Sequence, residues 1–495
     1  MSKPAAIRLV KSLSKSEKRH FKLFTKKQSG KKDYLDLFDL IDQNNFTDKD
    51  PIDEKFRKLH PQSSLNNAAR YLLKVLTDCL IQSKVKEDSL SQLLYGLLRI
   101  NILKERNLPE EGYRELKKLQ EVAISSQEQL IQYLLARYER DYLAELNFQD
   151  ISEKKLIEIQ MESRNILRDI RNTNEHYSLH ELLKHRLIHS GKVQTQDDKK
   201  QLNDLLLSEM SIVNSRVKNN LESQKLHLLF QSFFFTNIGD YKSALKTFYE
   251  LNRLFEKNIH LLQNPPLGYY SSLDGILDSL RVMGYFTEMD FYLKKLEQLD
   301  NSSYPEYYRF LIHKTIMIYR LSIYAGTQEY ISAINYINES DPNLLNAYSM
   351  VNDEKQSELL FYIALCNYNV KNIKKAQKYI NEIILVRKIN FQSIIYRAAR
   401  LLNMLIRYND KDLEYLDYEI RSYKRSFKGN QKPLQTEILI FKVIKSNPNL
   451  NSFKRNEILW NSINHRIQTI EKDKFEKQIL KYFDFIDWIK VKFLK

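Results

Sequence analysis

Four histidines, His176, His180, His185 and His189, are the nearest thing to a metal motif in this 495-residue chain. A zinc ion needs three or four imidazole, thiolate or carboxylate donors converging on one point. On a helix turning about 100° per residue, His176 and His180 lie about 140–180° round from His185 and His189, so the two pairs face apart. The zincin pattern H-E-x-x-H is also broken after His180-Glu181: Lys184 stands where the second histidine belongs, and His185 comes one place late. The four therefore read as ordinary helix-surface histidines, and no metal is expected. Cys79 and Cys366, the only cysteines, are too few and too far apart in sequence for a zinc site or a disulfide framework, which points to a reduced compartment. The ten glycines are scattered singly, so there is no P-loop and no dinucleotide fingerprint. With no local nucleophile-and-base or paired-carboxylate arrangement either, the reading is a non-enzymatic protein without a cofactor.

Charge is the second chemical signal. The net charge is +16, and residues 1–32 alone carry eleven Lys or Arg against the single acid Glu17. Ser14 and Glu17 form the capping-box pattern S-x-x-E, which opens a helix here. Lys15, Lys18, Lys22 and Lys26 follow at three- and four-residue steps and share one face, with Phe21 and Phe24 on another. Such a face could contact nucleic-acid phosphates with strong salt dependence, lie on an anionic membrane, or grip an acidic protein partner. It could equally be a solvated face whose phenylalanines pack on the next helix.

The elements that would carry these groups are helices. Glycine and proline number only ten each, apolar residues recur at helical intervals, and no sustained alternation marks a sheet. An all-α fold follows. Residues 1–85 read as a small basic helical domain, with Tyr34, Leu37, Phe38 and Ile41 on one helix and Leu65, Leu72, Leu73, Leu76 and Leu80 on another. Residues 86–222 read as degenerate helical hairpins. Leu93, Leu97, Ile100 and Leu103 form one face there, two separate helices run from Glu153 to Ile170 and from His176 to His189, and Gly191 to Gln196 is a connection. Residues 426–495 read as capping helices, the last with a continuous apolar stripe of Phe475, Ile479, Tyr482, Ile486, Ile489 and Phe493. There is no apolar run long enough to span a membrane and no leader-like start, so a cytoplasmic location is expected.

Residues 223–425 hold an internal repeat. Ala244, Met289, Ala333 and Ala376 anchor a pattern spaced by 45, 44 and 43 residues. In the first unit, Gly239-Asp240-Tyr241 turns between helices, Ala244 allows close packing, and Phe248 fills the next layer. Gly284-Tyr285 with Leu293, Tyr330 with Ala333 and Ile337, and Ile373 with Ala376 and Ile380 repeat the scheme. The pattern resembles the tetratricopeptide repeat, although Met289 replaces the small residue and the period exceeds the family's length of about 34 residues. The resemblance covers Leu226 to Arg425 and implies an α-solenoid of antiparallel helix pairs that acts as a binding scaffold. It also implies that Phe233, Asp274, Asp278, Arg281, Ser322 and Tyr368 line a concave surface for a protein or peptide partner. The alternative is a nucleic-acid-associated regulator using the basic helix.

Overall fold

The computed structural model describes residues 2–26, 33–43, 52–149, 151–190, 193, 195–214, 220–262, 265–346, 353–386, 393–410, 412–427, 432–446 and 453–494. Among these residues every regular element is helical and no strand occurs. No helix among them is long and apolar enough to cross a membrane.

The N-terminal residues form five helices, Ser2–Ser12, Lys15–Lys26, Asp33–Gln43, Ile52–Leu59 and Leu65–Glu87. Their shared core contains Val10, Phe21, Phe38, Phe56 and Leu72. The capping box forms: the Ser14 amide donates to Glu17 Oε2 at 2.7 Å, and the Glu17 amide donates to Ser14 Oγ at 3.2 Å. Two otherwise unpaired amides at the helix start are satisfied in this way.

Next come Ser89–Glu105, Pro109–Ser125 and Gln129–Glu145. Asp88 caps the first, accepting from the Ser91 amide at 2.9 Å. Pro109 opens the second, where its missing N–H leaves no bond unmade. The chain reverses after these helices through Asn107, Gln127 and Asn147 at positive φ, a conformation that glycine usually supplies at a helix end.

One sequence expectation is corrected here. Glu153–Ser190 is a single 38-residue helix, not two. The intervening Arg171 to Glu175 contains no Gly or Pro, so nothing interrupts the hydrogen-bond ladder. The expected connection from Gly191 to Gln196 lies partly outside the described residues.

From Leu221 onward helices follow in sequential pairs: Leu221–Asn237 with Tyr241–Lys257, Leu267–Met283 with Phe286–Gln298, Glu306–Gly326 with Tyr330–Glu339, and Asp353–Asn369 with Ile373–Asn381. Ala244, Met289, Ala333 and Ala376 sit in the second helix of each pair, all at 0% exposure. Asp240 and Asn372 cap two of those second helices through the Ser243 and Lys375 amides. Ile394–Asn409 and Leu413–Arg425 continue the succession.

The end of the chain differs from the continuous amphipathic helix expected. After Gln435–Ser446 and Phe453–Lys472, the stripe divides into a single turn, Lys477–Leu480, and a final helix, Phe485–Leu494. Asp484 restarts the helix by accepting from the Ile486 and Asp487 amides at 3.1 and 2.9 Å. Ile479, Tyr482, Ile486 and Ile489 are nevertheless all buried, within a core that also takes in Phe361, Leu402 and Ile440.

Candidate functional site

Asp274, Asp278 and Arg281 project from one face of Leu267–Met283, because steps of four and three residues nearly complete two helical turns. The fold brings Tyr319, Lys355, Glu358 and Tyr362 to them from two further helices, and Lys481 and Tyr482 from the C-terminal segment. Arg281 pairs with both Asp278 and Glu358 and donates to Tyr362 Oη at 3.0 Å. Its guanidinium also lies 5.3, 5.8 and 5.5 Å from the ring centroids of Tyr319, Tyr362 and Tyr482, within cation–π range. Asp274 accepts from Tyr319 Oη at 2.7 Å and from Lys355 Nζ.

Three carboxylates thus meet three cations, and the cluster balances. Burial alone would push the Asp278 carboxyl up, yet Lys481 and Arg281 beside it hold it well below the usual carboxylate range. Glu358 is lowered too, because Arg281, Lys355 and Lys481 outweigh its desolvation. A buried charge of this kind is tolerated only when it is paired and hydrogen-bonded, and here the partners are supplied from within the chain.

Of the residues expected to line a partner-facing surface, Arg281, Ser322 and Tyr368 are buried, and Phe233, Asp274 and Asp278 are half-buried. Arg281 is 5% exposed and already committed to two carboxylates. Ser322 is buried, and its hydroxyl donates to the Tyr319 carbonyl of its own helix at 2.8 Å. Tyr368 is buried and accepts from Asn409 Nδ2 at 2.8 Å. Phe233 is half-buried with its ring 5.9 Å from that of His180. Asp274 and Asp278 are half-buried and paired. Within the cluster, Lys481 pairs with Asp278 and the Tyr482 ring lies by Arg281, so the C-terminal segment occupies both.

The basic helix is partly neutralised in the same fashion. Lys18 pairs with Asp42 at 2.9 Å and Lys22 with Asp39 at 2.8 Å, while Lys15 and Lys26 stay exposed. Phe21 is buried against Phe38, with ring centroids 4.7 Å apart.

Of the four histidines, His185 and His189 are exposed with rings 4.2 Å apart. His176 is not a surface residue: it is 2% exposed, 4.0 Å from the buried Glu209 carboxylate, which also contacts His227. Periodicity could not reveal this, because Glu209 and His227 come from other helices. Among the described residues, no three His, Cys, Asp or Glu side chains are placed to hold a metal ion.

One surface feature escaped the sequence reading. Ser89–Glu105 buries Leu93, Leu97 and Ile100, and also presents Leu90, Leu94, Leu98 and Ile102 to solvent at four-residue steps. Gln129–Glu145 reaches it through long side chains, Tyr138 Oη donating to Asn101 Oδ1 at 3.0 Å and Lys104 pairing with Glu145. That helix exposes Leu130 and Leu134. The available signal was the density of apolar residues in 89–105, which exceeds what one buried face requires. No protein-family model matches this chain, and no curated protein matches it either.

Proposed function

We propose that this chain is a non-catalytic tetratricopeptide-like α-solenoid that binds a protein or peptide partner, with the docking surface on Ser89–Glu105 and Gln129–Glu145. The observation that carries this reading is the exposed apolar stripe, in which Leu94, Leu98, Ile102 and Leu130 are 49, 60, 55 and 70% exposed. Single exposed leucines need no explanation, but a run of them along adjacent helices is typical of an interaction surface. Leu90, Leu94, Leu98 and Ile102, exposed at four-residue steps on one helix, suit an amphipathic helix laid along them. The self-contained charge cluster around Arg281 supports the same placement, since its groups already have partners.

The test uses the purified full chain and a Leu94→Asp, Leu98→Asp double variant as baits. Circular dichroism should be the same for both, because the changes lie on solvent-facing positions. Partners retained by the wild type should be lost by the variant, and a synthetic peptide from such a partner should bind the wild type alone. Identical recovery by both baits would overturn the reading. So would light scattering that shows a wild-type dimer and a monomeric variant, which would make the stripe a self-association surface.

A further inference from the structure

Beside the stripe, where Ser89–Glu105, Gln129–Glu145, Glu153–Ser190, Leu221–Asn237 and Leu267–Met283 approach one another, lies a cavity of about 470 Å³. That is the size of a small-molecule site and larger than one side chain would fill. Tyr177, Phe255 and Tyr269 line it together with aliphatic side chains.

Its charged groups are unevenly provided for. Glu222 is fully engaged: Tyr177 Oη donates to Oε1 at 2.6 Å, and Lys225 Nζ pairs with Oε2 at 2.6 Å. Asp88, close enough to act on Glu128 but outside the cavity wall, accepts from the Ser91 amide and hydroxyl at 2.9 and 2.7 Å. Glu128, half-buried on the cavity wall, occupies the N-cap position of Gln129–Glu145 and makes no capping bond. Among the described residues its carboxylate has no hydrogen-bond or ion-pair partner. Burial, followed by the nearby Asp88 and Glu222 carboxylates, raises its pKa, and Lys225 offsets this only in part.

A half-buried carboxylate with no direct partner, and only Lys225 nearby to offset the Asp88 and Glu222 charges, is costly, and the cost is relieved if a cation enters. An anionic ligand would be repelled by Asp88, Glu128 and Glu222, and a neutral one would leave Glu128 unpaired. A metal ion would find only one uncommitted carboxylate. Aromatic faces, by contrast, add attraction for a desolvated ammonium group.

We propose that this cavity binds an apolar organic ammonium ion, with its charge at Glu128 and its body against Tyr177, Phe255 and Tyr269. Leu90 and Leu130 of the stripe belong to the cavity wall, but the inference needs no partner on the stripe.

Calorimetry on the full chain at low salt would use three probes: tryptamine, its neutral isostere tryptophol, and the peptide acetyl-Leu-Lys-Leu-amide. A cationic probe should bind, weaken as salt rises, and lose about tenfold or more in affinity in Glu128→Gln, as expected for loss of a charge-assisted hydrogen bond. Tryptamine binding identifies a free amine as the source. Binding of the peptide alone identifies a peptide-borne lysine, and either result supports the cation site. Equal affinity for tryptamine and tryptophol, unchanged affinity in Glu128→Gln, or no binding by either cation would overturn it. As a second measurement, ligand-free Glu128→Gln should melt higher than wild type, since it removes an unneutralised carboxylate. A lower melting temperature would mean that the charge is already compensated within the protein, and the proposal would fail.

Discussion

Lys481 Nζ lies 3.0 and 3.1 Å from the two carboxylate oxygens of Asp278, a residue 203 positions earlier in the chain. The contact ties the C-terminal segment to the middle of the protein and completes the charge balance around Arg281. Removing one partner of a buried pair leaves the other charge uncompensated, which is worse than never having had the pair. Lys481→Met should therefore cost about 3 kcal/mol, at the low end for a broken buried pair because Arg281 remains beside Asp278. Adding Asp278→Asn should recover part of the loss. Urea titration of the two single variants and the double variant measures the coupling, and strictly additive losses would show that the two residues do not interact.

Gly239 and Gly284 both sit at positive φ, 75° and 73°, but in different surroundings. A Cβ on Gly239 would come within 2.4 Å of the Lys474 carbonyl oxygen, whereas Gly284 has nothing within 4 Å. Gly284→Ala should cost only the left-handed backbone strain, about 1–2 kcal/mol. Gly239→Ala should cost clearly more, because a backbone carbonyl of the C-terminal segment would have to move. Equal losses in denaturant midpoint would mean that this segment does not pack on the 239–241 turn.

His176 and His180 should make stability fall in mild acid. Burial lowers both pKa values from 6.5, and for His176 the Glu209 and Glu175 carboxylates oppose the shift while His227 adds to it. A histidine lowered in the fold stays neutral while the unfolded chain takes up a proton. Its contribution is therefore complete above about pH 6.5 and is lost as pH falls below that value. The urea midpoint should drop between pH 7.5 and 5.5, and by less in His176→Leu than in wild type. Parallel pH curves for the two proteins would remove His176 from the account.

The basic helix offers a test by addition. Asp39 and Asp42 occupy Lys22 and Lys18, so Asp39→Asn with Asp42→Asn should free two ammonium groups. The double variant should elute from heparin at higher salt than wild type. No change in elution would show that these lysines do not contribute to polyanion binding even when unpaired.

The features legible in the sequence were those set by near neighbours along the chain. Ser14 and Glu17 cap each other because three residues separate them at a helix start. Ala244, Met289, Ala333 and Ala376, spaced by 45, 44 and 43 residues, are each the fourth residue of a helix and each buried. The helix from Glu153 to Ser190 shows the limit even of local reading, since two helices were expected although no Gly or Pro between Ile170 and His176 forces a break. Whether Arg281 faces solvent or Glu358, whether His176 meets Glu209, and whether Asp278 finds Lys481 were decided by tertiary structure alone. The same holds for Leu94 and Leu98, left exposed while Leu93 and Leu97 are covered. A helix determines which side chains share a face, through its 3.6-residue turn. Which face is covered, and by which distant segment, depends on how successive helices stack, and no local spacing encodes that.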